Sequence, residues 1–389
     1  MRSLVVEGWR RSSHSYALVN QHQLLHLITD RRFAVSHVDM PFFRPHWAQV
    51  DAGFPAATRS TLEGLAAPAE NPADLTYRIS WPLRVYAGAS RATFVFGTCE
   101  LGRFDPGAFV GPTGTEQGVD FNAVELVTPS YWSRAGFVGL GFKEECVHVI
   151  SHGVDPALFA PANTKGRAQV RSALGISEDA LVFLNIGAVT WNKGIGPLLA
   201  AFARYRQRHQ QAILVLKGGD SLYGNLLGAA LEEARRLNPD VASSQLKAAL
   251  RYVPQNLSQQ QLSMLYRASD VYISPYRAEG FNLPALEARA AGLPVIVTSG
   301  GATDDFCDGD SCLKIAAQLT AGSHGRHLEP QVESIVDCLE RMTDGLSARR
   351  DAARRQAPRI LEKYSWRSVT RQLADLLSQD PVAPTRQNV

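Results

Sequence analysis

Short apolar runs alternate with segments of helical periodicity along most of this chain, and that alternation restricts the fold more than any other feature. The order is typical of parallel sheets whose strands are joined by helical crossovers. The second half shows it best. There we predict a doubly wound α/β domain, with strands at 180–186, 212–216, 250–253, 271–274 and 293–297 and helices at 194–210, 222–237, 258–268 and 283–291.

The first half repeats the pattern. Its predicted strands are 3–7, 34–38, 92–97, 123–128 and 147–151, and its predicted helices are 16–29 and 131–140. Stretches rich in Pro and Gly at 41–55 and 104–118 predict long loops, which are often functional in compact domains. The segment 155–166 is the predicted linker. The fold class is therefore α/β, with two doubly wound, Rossmann-like domains that meet near residue 160 and face a central cleft at the carboxyl ends of their strands.

Composition and charge exclude several classes of protein. A chain of 389 residues with 45% hydrophobic and 20% charged residues is globular rather than disordered. The 40 Lys and Arg exceed the 37 Asp and Glu by too little to indicate nucleic-acid binding or a polybasic membrane surface. Residues 1–160 carry 13 basic and 15 acidic residues, and the remainder carries 27 and 22, so the second half is the better candidate for an anionic ligand.

The cysteines and the N-terminus indicate a reducing compartment. Five cysteines, mostly far apart, give no disulfide framework. Cys307 and Cys312 are the nearest pair, and we interpret both as ordinary thiols. Residues 1–11 do not resemble a signal peptide, and no run of 18 apolar residues could span a membrane. We predict a cytoplasmic protein.

The densest candidate site is the run from Arg277 to Glu287, RAEGFNLPALE, which follows a predicted strand and opens a predicted helix. Pro284 suits a first helical turn, so the amides from Gly280 to Leu283 lie at a positive helix end that can hold a phosphate or sugar hydroxyls. Glu279 can accept hydrogen bonds from a sugar, and Glu287 can take the two hydroxyls of a ribose. The alternative is that both carboxylates only favour the helix dipole or a surface ion pair.

A second candidate is the loop 187–194, GAVTWNKG. A strand that ends at Gly187, followed by Lys193 just before a helix, can bring an ammonium group and backbone amides to a diphosphate. Neither GxxxxGK[ST] nor GxGxxG after the first strand occurs in the chain. A solvated lysine beside a helix is the alternative, and Lys217 is a weaker candidate of the same kind.

Polar residues after the first strand form a third candidate. Two arginines, a histidine and several hydroxyls suit an acceptor or phosphate contact, although serines that cap a helix explain the pattern equally well. The candidates are Arg10, Arg11, Ser13 and His14, with Glu100 added from its position after a later strand. We predict no metal site, because Asp308-Gly309-Asp310 is typical of a solvated turn and His22 with His26 lack a third ligand.

With these motifs in order, the chain resembles the retaining family-4 glycosyltransferases, which have the GT-B fold. Glu279 to Glu287 matches the E-x7-E motif of that family. The other matching segments are 126–133 and 149–156 at the end of the first domain, 185–187 with 193–194 in the first donor loop, and 364–366 where the chain returns to the first domain. The resemblance implies an acceptor domain at 1–154, joined by 366–389, and a nucleotide-sugar donor domain at 155–365.

The resemblance also implies roles for individual residues. Glu279 would bind hydroxyls of the donor sugar beside the amides of Gly280, Phe281 and Asn282. Glu287 would hold the ribose, and Lys193 would neutralise the diphosphate. Glu279 and Lys193 would be the catalytic residues. The family transfers a sugar from a nucleotide diphosphate with retention and without a metal or other cofactor, and the leaving phosphate helps to deprotonate the acceptor. The implied partners are a nucleotide sugar and a carbohydrate or lipid-linked acceptor, as in polysaccharide assembly, with no nucleic acid and with peripheral membrane association left open.

Two departures from the family pattern leave alternatives open. Ala188 stands where many members carry an arginine, so either Lys193 acts alone or Arg10, Arg11 or Lys217 supplies a second cation. The glycine-rich loop after the first strand is replaced by 10–16. A nucleotide-sugar epimerase or phosphorylase on the same fold, or a non-catalytic protein that binds sugar nucleotides, remains as an alternative function.

Overall fold

Two six-stranded parallel sheets account for the alternating pattern of the sequence. We describe a computed structural model, and it covers residues 1–50, 53–161, 166–242, 244–323 and 325–381. The chain divides into an N-terminal unit, Met1–Gly153 together with the chain from Tyr364, and a C-terminal unit, Val154–Lys363. Residues 51–52 of a predicted loop, 162–165 of the predicted linker and 382–389 of the predicted first domain lie outside the described residues.

The N-terminal sheet has the order β2-β1-β3-β5-β7-β8. Every residue of the third, fourth and fifth strands in this order is buried, as expected for parallel strands covered on both faces. The strands are β1 (Arg2–Gly8), β2 (Phe33–Asp39), β3 (Leu75–Ile79), β4 (Leu83–Arg84), β5 (Ala92–Phe96), β6 (Phe109–Val110), β7 (Glu125–Thr128) and β8 (Val147–Val149), and the first three helices are α1 (Ser15–Leu27), α2 (Ala56–Glu63) and α3 (Tyr131–Gly139). The short strands β4 and β6 pair with each other.

The C-terminal sheet has the order β11-β10-β9-β12-β13-β14, and a hairpin follows it. Its strands are β9 (Val182–Ile186), β10 (Ile213–Lys217), β11 (Leu250–Val253), β12 (Val271–Ser274), β13 (Val295–Thr298) and β14 (Cys312–Ile315), and the hairpin is β15 (Ala317–Gly322) with β16 (Gly325–Pro330). The helices are α4 (Pro156–Phe159), α5 (Arg167–Ala173), α6 (Ile195–Arg206), α7 (Asp220–Tyr223), α8 (Leu227–Leu237), α9 (Ser244–Ala249), α10 (Gln259–Ala268), α11 (Leu283–Ala290), α12 (Val332–Asp344) and α13 (Leu346–Tyr364).

The final helix, α14 (Trp366–Ser378), packs on the N-terminal unit. The indole of Trp366 stacks on the ring of His22 in α1, with ring centroids 4.6 Å apart. A Cβ atom at Gly153 would lie 2.6 Å from the Trp366 ring, so only glycine fits beside it. Arg32 and Asp375 form an ion pair at 2.7 Å. None of the described helices combines the length and the apolar character that crossing a membrane requires.

Three predictions about elements were wrong in part. The predicted helix 222–237 is two helices, because Gly224 adopts a left-handed φ of 74° between α7 and α8. The predicted linker contains the short helix α4, which Asp155 caps through the amide of Ala157. The predicted loop 104–118 contains β6. The pattern also missed β3, β14 and the β15–β16 hairpin.

Candidate functional site

The crevice of the C-terminal sheet lies where the strand order reverses, between β9 and β12. In open α/β sheets, ligands bind outside the carboxyl ends of the strands at such a switch point. The loops that leave β9 and β12 are 187–194 and 275–282. The first is the candidate loop of the sequence analysis, and the second contains the start of the candidate run from Arg277 to Glu287. Topology therefore brings the two candidate motifs to one place.

Backbone contacts hold these two loops together. The carbonyl oxygen of Asn192 accepts hydrogen bonds from the amides of Arg277 at 2.8 Å and Ala278 at 3.2 Å. Gly194 has a left-handed φ of 66°, and a Cβ atom there would lie 1.8 Å from the carbonyl oxygen of Pro275. Any other residue at 194 would force the loops apart. Lys193 thus stands at a fixed distance from the E-x7-E segment.

Lys193 and Glu279 form an ion pair, with Nζ and Oε1 2.9 Å apart. The side chains are 20% and 11% exposed, so the pair is shielded from water on most sides and open on one. These are the two residues that the sequence predicted to be catalytic. Their direct contact was not predicted.

Asn282 starts the helix that follows Glu279. Its φ of 76° is left-handed, its Oδ1 accepts a hydrogen bond from the amide of Ala285, and its Nδ2 donates to Ser274 Oγ at 2.9 Å. Pro284 lies in the first turn of α11, as predicted. The positive end of α11, with buried Gly280 and Phe281 and partly exposed Leu283, therefore lies beside the Glu279 carboxylate.

Glu287 lies one turn into α11, and none of the ion pairs among the described residues includes it. The hydroxyl of Tyr266 donates to its Oε2 at 2.7 Å. Its side chain remains partly exposed, but burial of the carboxyl group raises the pKa of Glu287 to about 7. The fully buried phenol of Tyr272 has a pKa held well above its usual value, by burial and by the nearby charges of Glu279 and Glu287.

Arg277 is a structural residue whose role the sequence did not reveal. Only 3% exposed, it forms ion pairs with Glu233 at 2.5 Å and Glu329 at 2.7 Å. Its Nη1 donates to the carbonyl oxygen of Trp191 at 2.9 Å, and its guanidinium lies 4.8 Å from the centre of that indole. Arg277 therefore ties the two site loops to α8 and β16.

A family comparison agrees with this geometry. Residues 166–342 match the family model described as glycosyl transferases group 1. We call residues 166–342 the group 1 segment. Relatives of the chain include D-inositol 3-phosphate glycosyltransferases of Corynebacterium urealyticum, 29% identical over 241 residues, and Acidothermus cellulolyticus, 31% identical over 217 residues. These matches cover 61% and 54% of this chain and 52% and 46% of the relatives, so the chain spans about half their length.

Solved structures show the fold of the whole chain. The HepE protein of Anabaena, in complex with UDP and glucose, superposes with a TM-score of 0.69 at 15% identity, covering 97% of this chain and all of HepE. The lipopolysaccharide glycosyltransferase WaaG gives 0.60 at 15% identity, covering 97% of this chain and 99% of WaaG. The fold is GT-B, as the resemblance to family-4 glycosyltransferases implied.

Lys217 was one of the candidates for a second cation near Ala188, and its own neighbours engage it. Ala188 packs close to Gly219, because a Cβ atom at Gly219 would lie 3.4 Å from the Ala188 side chain. Lys217 is buried, its ammonium group contacts the carbonyl oxygen of Gly218, and burial lowers its pKa. Gly187 donates its amide to the carbonyl of Lys217 at 3.0 Å. The second cation remains a prediction.

The candidates after β1 lie in the N-terminal unit. Arg10 binds Asp39 through two hydrogen bonds, at 2.6 and 2.9 Å. Arg11 has a left-handed φ of 52°, and Ser13 is exposed. A histidine rather than a serine caps α1, because Nδ1 of His14 accepts a hydrogen bond from the amide of Tyr16. The remaining candidate, Glu100, accepts a hydrogen bond from Trp132 through its backbone carbonyl.

Two further predictions concern the loop 307–312 of the group 1 segment. Asp308 of the Asp308-Gly309-Asp310 turn is exposed and pairs with Arg289 at 2.9 Å. Within the described ranges, no three His, Cys, Asp or Glu side chains gather as metal ligands would. Cys307 and Cys312 are both free thiols. A hydrogen bond from Cys307 lowers the pKa of Cys312 to about 7.

Proposed function

We propose that this chain transfers a sugar from a nucleotide-diphosphate sugar to an acceptor. The observation that carries the proposal is the contact of Lys193 with Glu279 at the switch point of a group 1 sheet. The glycosyltransferase activity for which the relatives are named, and the UDP and glucose bound by HepE, support a nucleotide-sugar donor. The proposed donor-binding residues are Gly187, Lys193, Glu279, Gly280, Phe281, Asn282, Leu283 and Glu287.

Charge explains how these residues would act. The ammonium of Lys193 and the carboxylate of Glu279 neutralise each other across 2.9 Å. A bound donor would offer each a separate partner, namely the diphosphate for Lys193 and sugar hydroxyls for Glu279. As the sugar leaves, the nucleoside diphosphate gains negative charge, and Lys193 with the positive end of α11 would stabilise it. Glu287 would accept hydrogen bonds from the ribose.

We further propose that transfer retains the anomeric configuration and needs no metal. The acceptor oxygen forms a bond to the anomeric carbon while the bond from that carbon to the diphosphate oxygen breaks. The acceptor proton passes to the departing phosphate oxygen on the same face, so the nucleoside diphosphate is the base. Lys193 and the helix end would supply the positive charge that a divalent cation supplies elsewhere.

A donor screen with site variants tests the proposal. Thermal shift with UDP, GDP and ADP sugars identifies the donor, because a ligand stabilises the state that binds it. Transfer and donor hydrolysis are then measured for Lys193→Ala and Glu279→Gln, with the exposed Lys143→Ala and Glu178→Gln as matched controls. We expect each site variant to lose about 100-fold in kcat/KM and the controls to lose nothing. Full activity in both site variants would overturn the assignment.

The same assays separate the alternatives. An epimerase would convert the donor without an acceptor, and a phosphorylase would depend on added phosphate. A non-catalytic protein would show a donor-dependent thermal shift without turnover. Retention is read from the anomeric coupling constant of the product by NMR, and metal independence from unchanged rates in EDTA. An inverted product or loss of activity in EDTA would contradict that part of the proposal.

A further inference from the structure

The N-terminal sheet has its own switch point, between β1 and β3, where the strand order reverses. The loops that leave these strands begin at Trp9 and at Ser80. By the same topological argument, a ligand of the N-terminal unit binds outside these strand ends. The residues around this point therefore indicate what kind of ligand it takes.

Aromatic rings surround this switch point. Trp9 is 1% exposed, and its indole N–H donates to the carbonyl oxygen of Pro41 at 2.9 Å. This hydrogen bond fixes the orientation of the buried ring. The rings of His14 and Trp47 lie 5.2 and 5.7 Å from it, and both are partly exposed. The loop after β2 supplies Trp47.

A second group of rings continues from the first. Phe42 lies 6.2 Å from Trp9, and the next residue, Phe43, is 40% exposed. The ring of Phe43 lies 6.3 Å from Trp81, which follows β3, and Trp81 lies 5.7 Å from Phe104. We call Trp9, His14, Phe43, Trp47, Trp81 and Phe104 the aromatic rim. Its members come from the loops after β1, β2, β3 and β5.

The buried cations near the rim already have carboxylate partners. Arg10, with a side chain only 11% exposed, is held by Asp39. Arg78, 3% exposed, pairs with Glu7 at 2.9 Å and donates to the carbonyl oxygen of Tyr86 at 2.6 Å. Burial lowers the pKa of His37 to about 4, so this histidine is neutral. An anionic ligand would have to compete with these carboxylates.

We propose that the aromatic rim is the acceptor site of the proposed transferase and that it takes an uncharged carbohydrate. The C–H faces of a pyranose pack on aromatic rings, while its hydroxyls bond to polar groups at the edge. The neutralised charges of the buried Arg10 and Arg78 favour such a ligand over a sugar phosphate. The inference rests on the proposed function, and it distinguishes this chain from relatives named for D-inositol 3-phosphate.

Paired acceptors test the inference once a donor sugar is known. The probes are methyl α-D-glucopyranoside and maltose against glucose 6-phosphate and D-inositol 3-phosphate. The variants are Phe43→Ala, Trp81→Ala and the ring-preserving Trp81→Phe, and the control is Leu319→Ala, which removes an exposed apolar side chain from β15. We expect turnover with a neutral sugar, a KM for it raised about tenfold by either alanine variant, and a KM for the donor unchanged.

The outcomes are distinguishable. Trp81→Phe should recover most of the acceptor affinity, which a general loss of folding would not allow. Arg11, or the Arg44 guanidinium that lies over the Phe43 ring, would favour a phosphorylated acceptor. Preference for either phosphorylated probe would therefore overturn the inference and leave the transferase proposal intact. An unchanged acceptor KM in both alanine variants overturns it as well. Absence of donor binding and hydrolysis would instead refute the proposed function.

Discussion

Glu287 is the residue whose protonation state matters most to the proposed donor site. A carboxylate accepts two hydrogen bonds from a ribose, whereas the protonated acid is a weaker acceptor. Because burial raises the pKa of Glu287 to about 7, the charged form becomes dominant only as pH rises through neutrality. The family motif would not have suggested this sensitivity.

We therefore predict that nucleotide affinity increases with pH. Between about pH 6 and pH 8, the ionised fraction of a group with this pKa rises about tenfold, and the affinity for UDP should rise by up to that factor. Isothermal titration calorimetry across this range checks the prediction. Glu287→Gln, which does not titrate, should bind weakly and without this pH dependence. An equally steep profile in Glu287→Gln would show that another group titrates.

Cys312 is the second residue with an unexpected pKa. The thiol of Cys307 donates to its sulfur, and the positive charge of Arg289 favours the thiolate further. Burial raises the pKa of the thiols of Cys99, Cys146, Cys307 and Cys338 instead. The thiolate, rather than the thiol, is the reactive form.

We predict selective alkylation of Cys312. Near pH 7.5, iodoacetamide should label Cys312 at least about tenfold faster than any other cysteine, because about half or more of it is thiolate. Mass spectrometry of proteolytic peptides measures the rates. Cys307→Ser, in which a hydroxyl replaces the thiol donor, should change the rate at Cys312. Uniform labelling of the native protein would contradict the prediction.

The sequence identified the site residues that belong to a local pattern and missed those that meet through the fold. Glu279, Glu287 and Lys193 were recognisable from spacing and from their position before a helix. Tyr266 reaches Glu287 from α10, and Arg277 joins α8 and β16, so neither role follows from neighbours in sequence. The pKa of Glu287 depends on such packing, so it could not be predicted from the sequence either.

At the scale of elements, the missed strands β3 and β14 and the missed β15–β16 hairpin all contain polar residues. β3 carries Arg78, whose charge is compensated by Glu7 on the neighbouring strand β1. A single sequence gives no sign of that pairing. β15 is mostly exposed, and its partner β16 carries Arg326, His327 and Glu329, so the hairpin lacks an apolar signal. Helix ends were predicted better where a cap was visible, as at Ser258 before α10.

The start of α11 gives a prediction at this scale. Asn282 both caps the helix and adopts a left-handed φ of 76°, two properties that asparagine combines well. Asn282→Ala loses the cap and strains the backbone, and should lower the free energy of unfolding of the C-terminal unit by about 2 kcal/mol. Asn282→Gly keeps the backbone conformation and should lose only about half as much.

Urea unfolding of the two Asn282 variants measures the difference. Donor hydrolysis should fall in the same order, because the helix end lies beside Glu279. Ser258→Ala, which removes the cap of α10, is the matched control for loss of a cap away from this loop. Equal losses for the alanine and glycine variants would show that backbone strain at Asn282 is unimportant.

At the scale of the whole molecule, each unit has a parallel sheet with its own switch point. The excess positive charge of the second half agrees with the proposed donor site there. That site would depend on Lys193 and a helix end rather than on the general excess. The first unit needs a segment from the far end of the chain. Trp366, Val369, Leu373 and Leu377 of α14 are all buried there.

Removal of α14 should therefore destabilise one unit selectively. A chain that ends at Lys363 loses the burial of four large apolar side chains, a cost of about 5 kcal/mol or more to the N-terminal unit. Hydrogen exchange measured by mass spectrometry should show protection lost in α1 and retained in β9 and β12. A chain that ends at Pro381 keeps α14 and is the control. Equal loss of protection in both units would contradict this expectation.

The same return of the chain has a consequence for biosynthesis. The segment Met1–Gly153 leaves the ribosome before Val154–Lys363, yet its partner helix α14 is translated only after the whole of Val154–Lys363. The second unit can complete its sheet while the first still exposes the surface around His22. Folding on the ribosome would then finish in the reverse of the order of synthesis, and the nascent first unit would be the part that needs protection by chaperones.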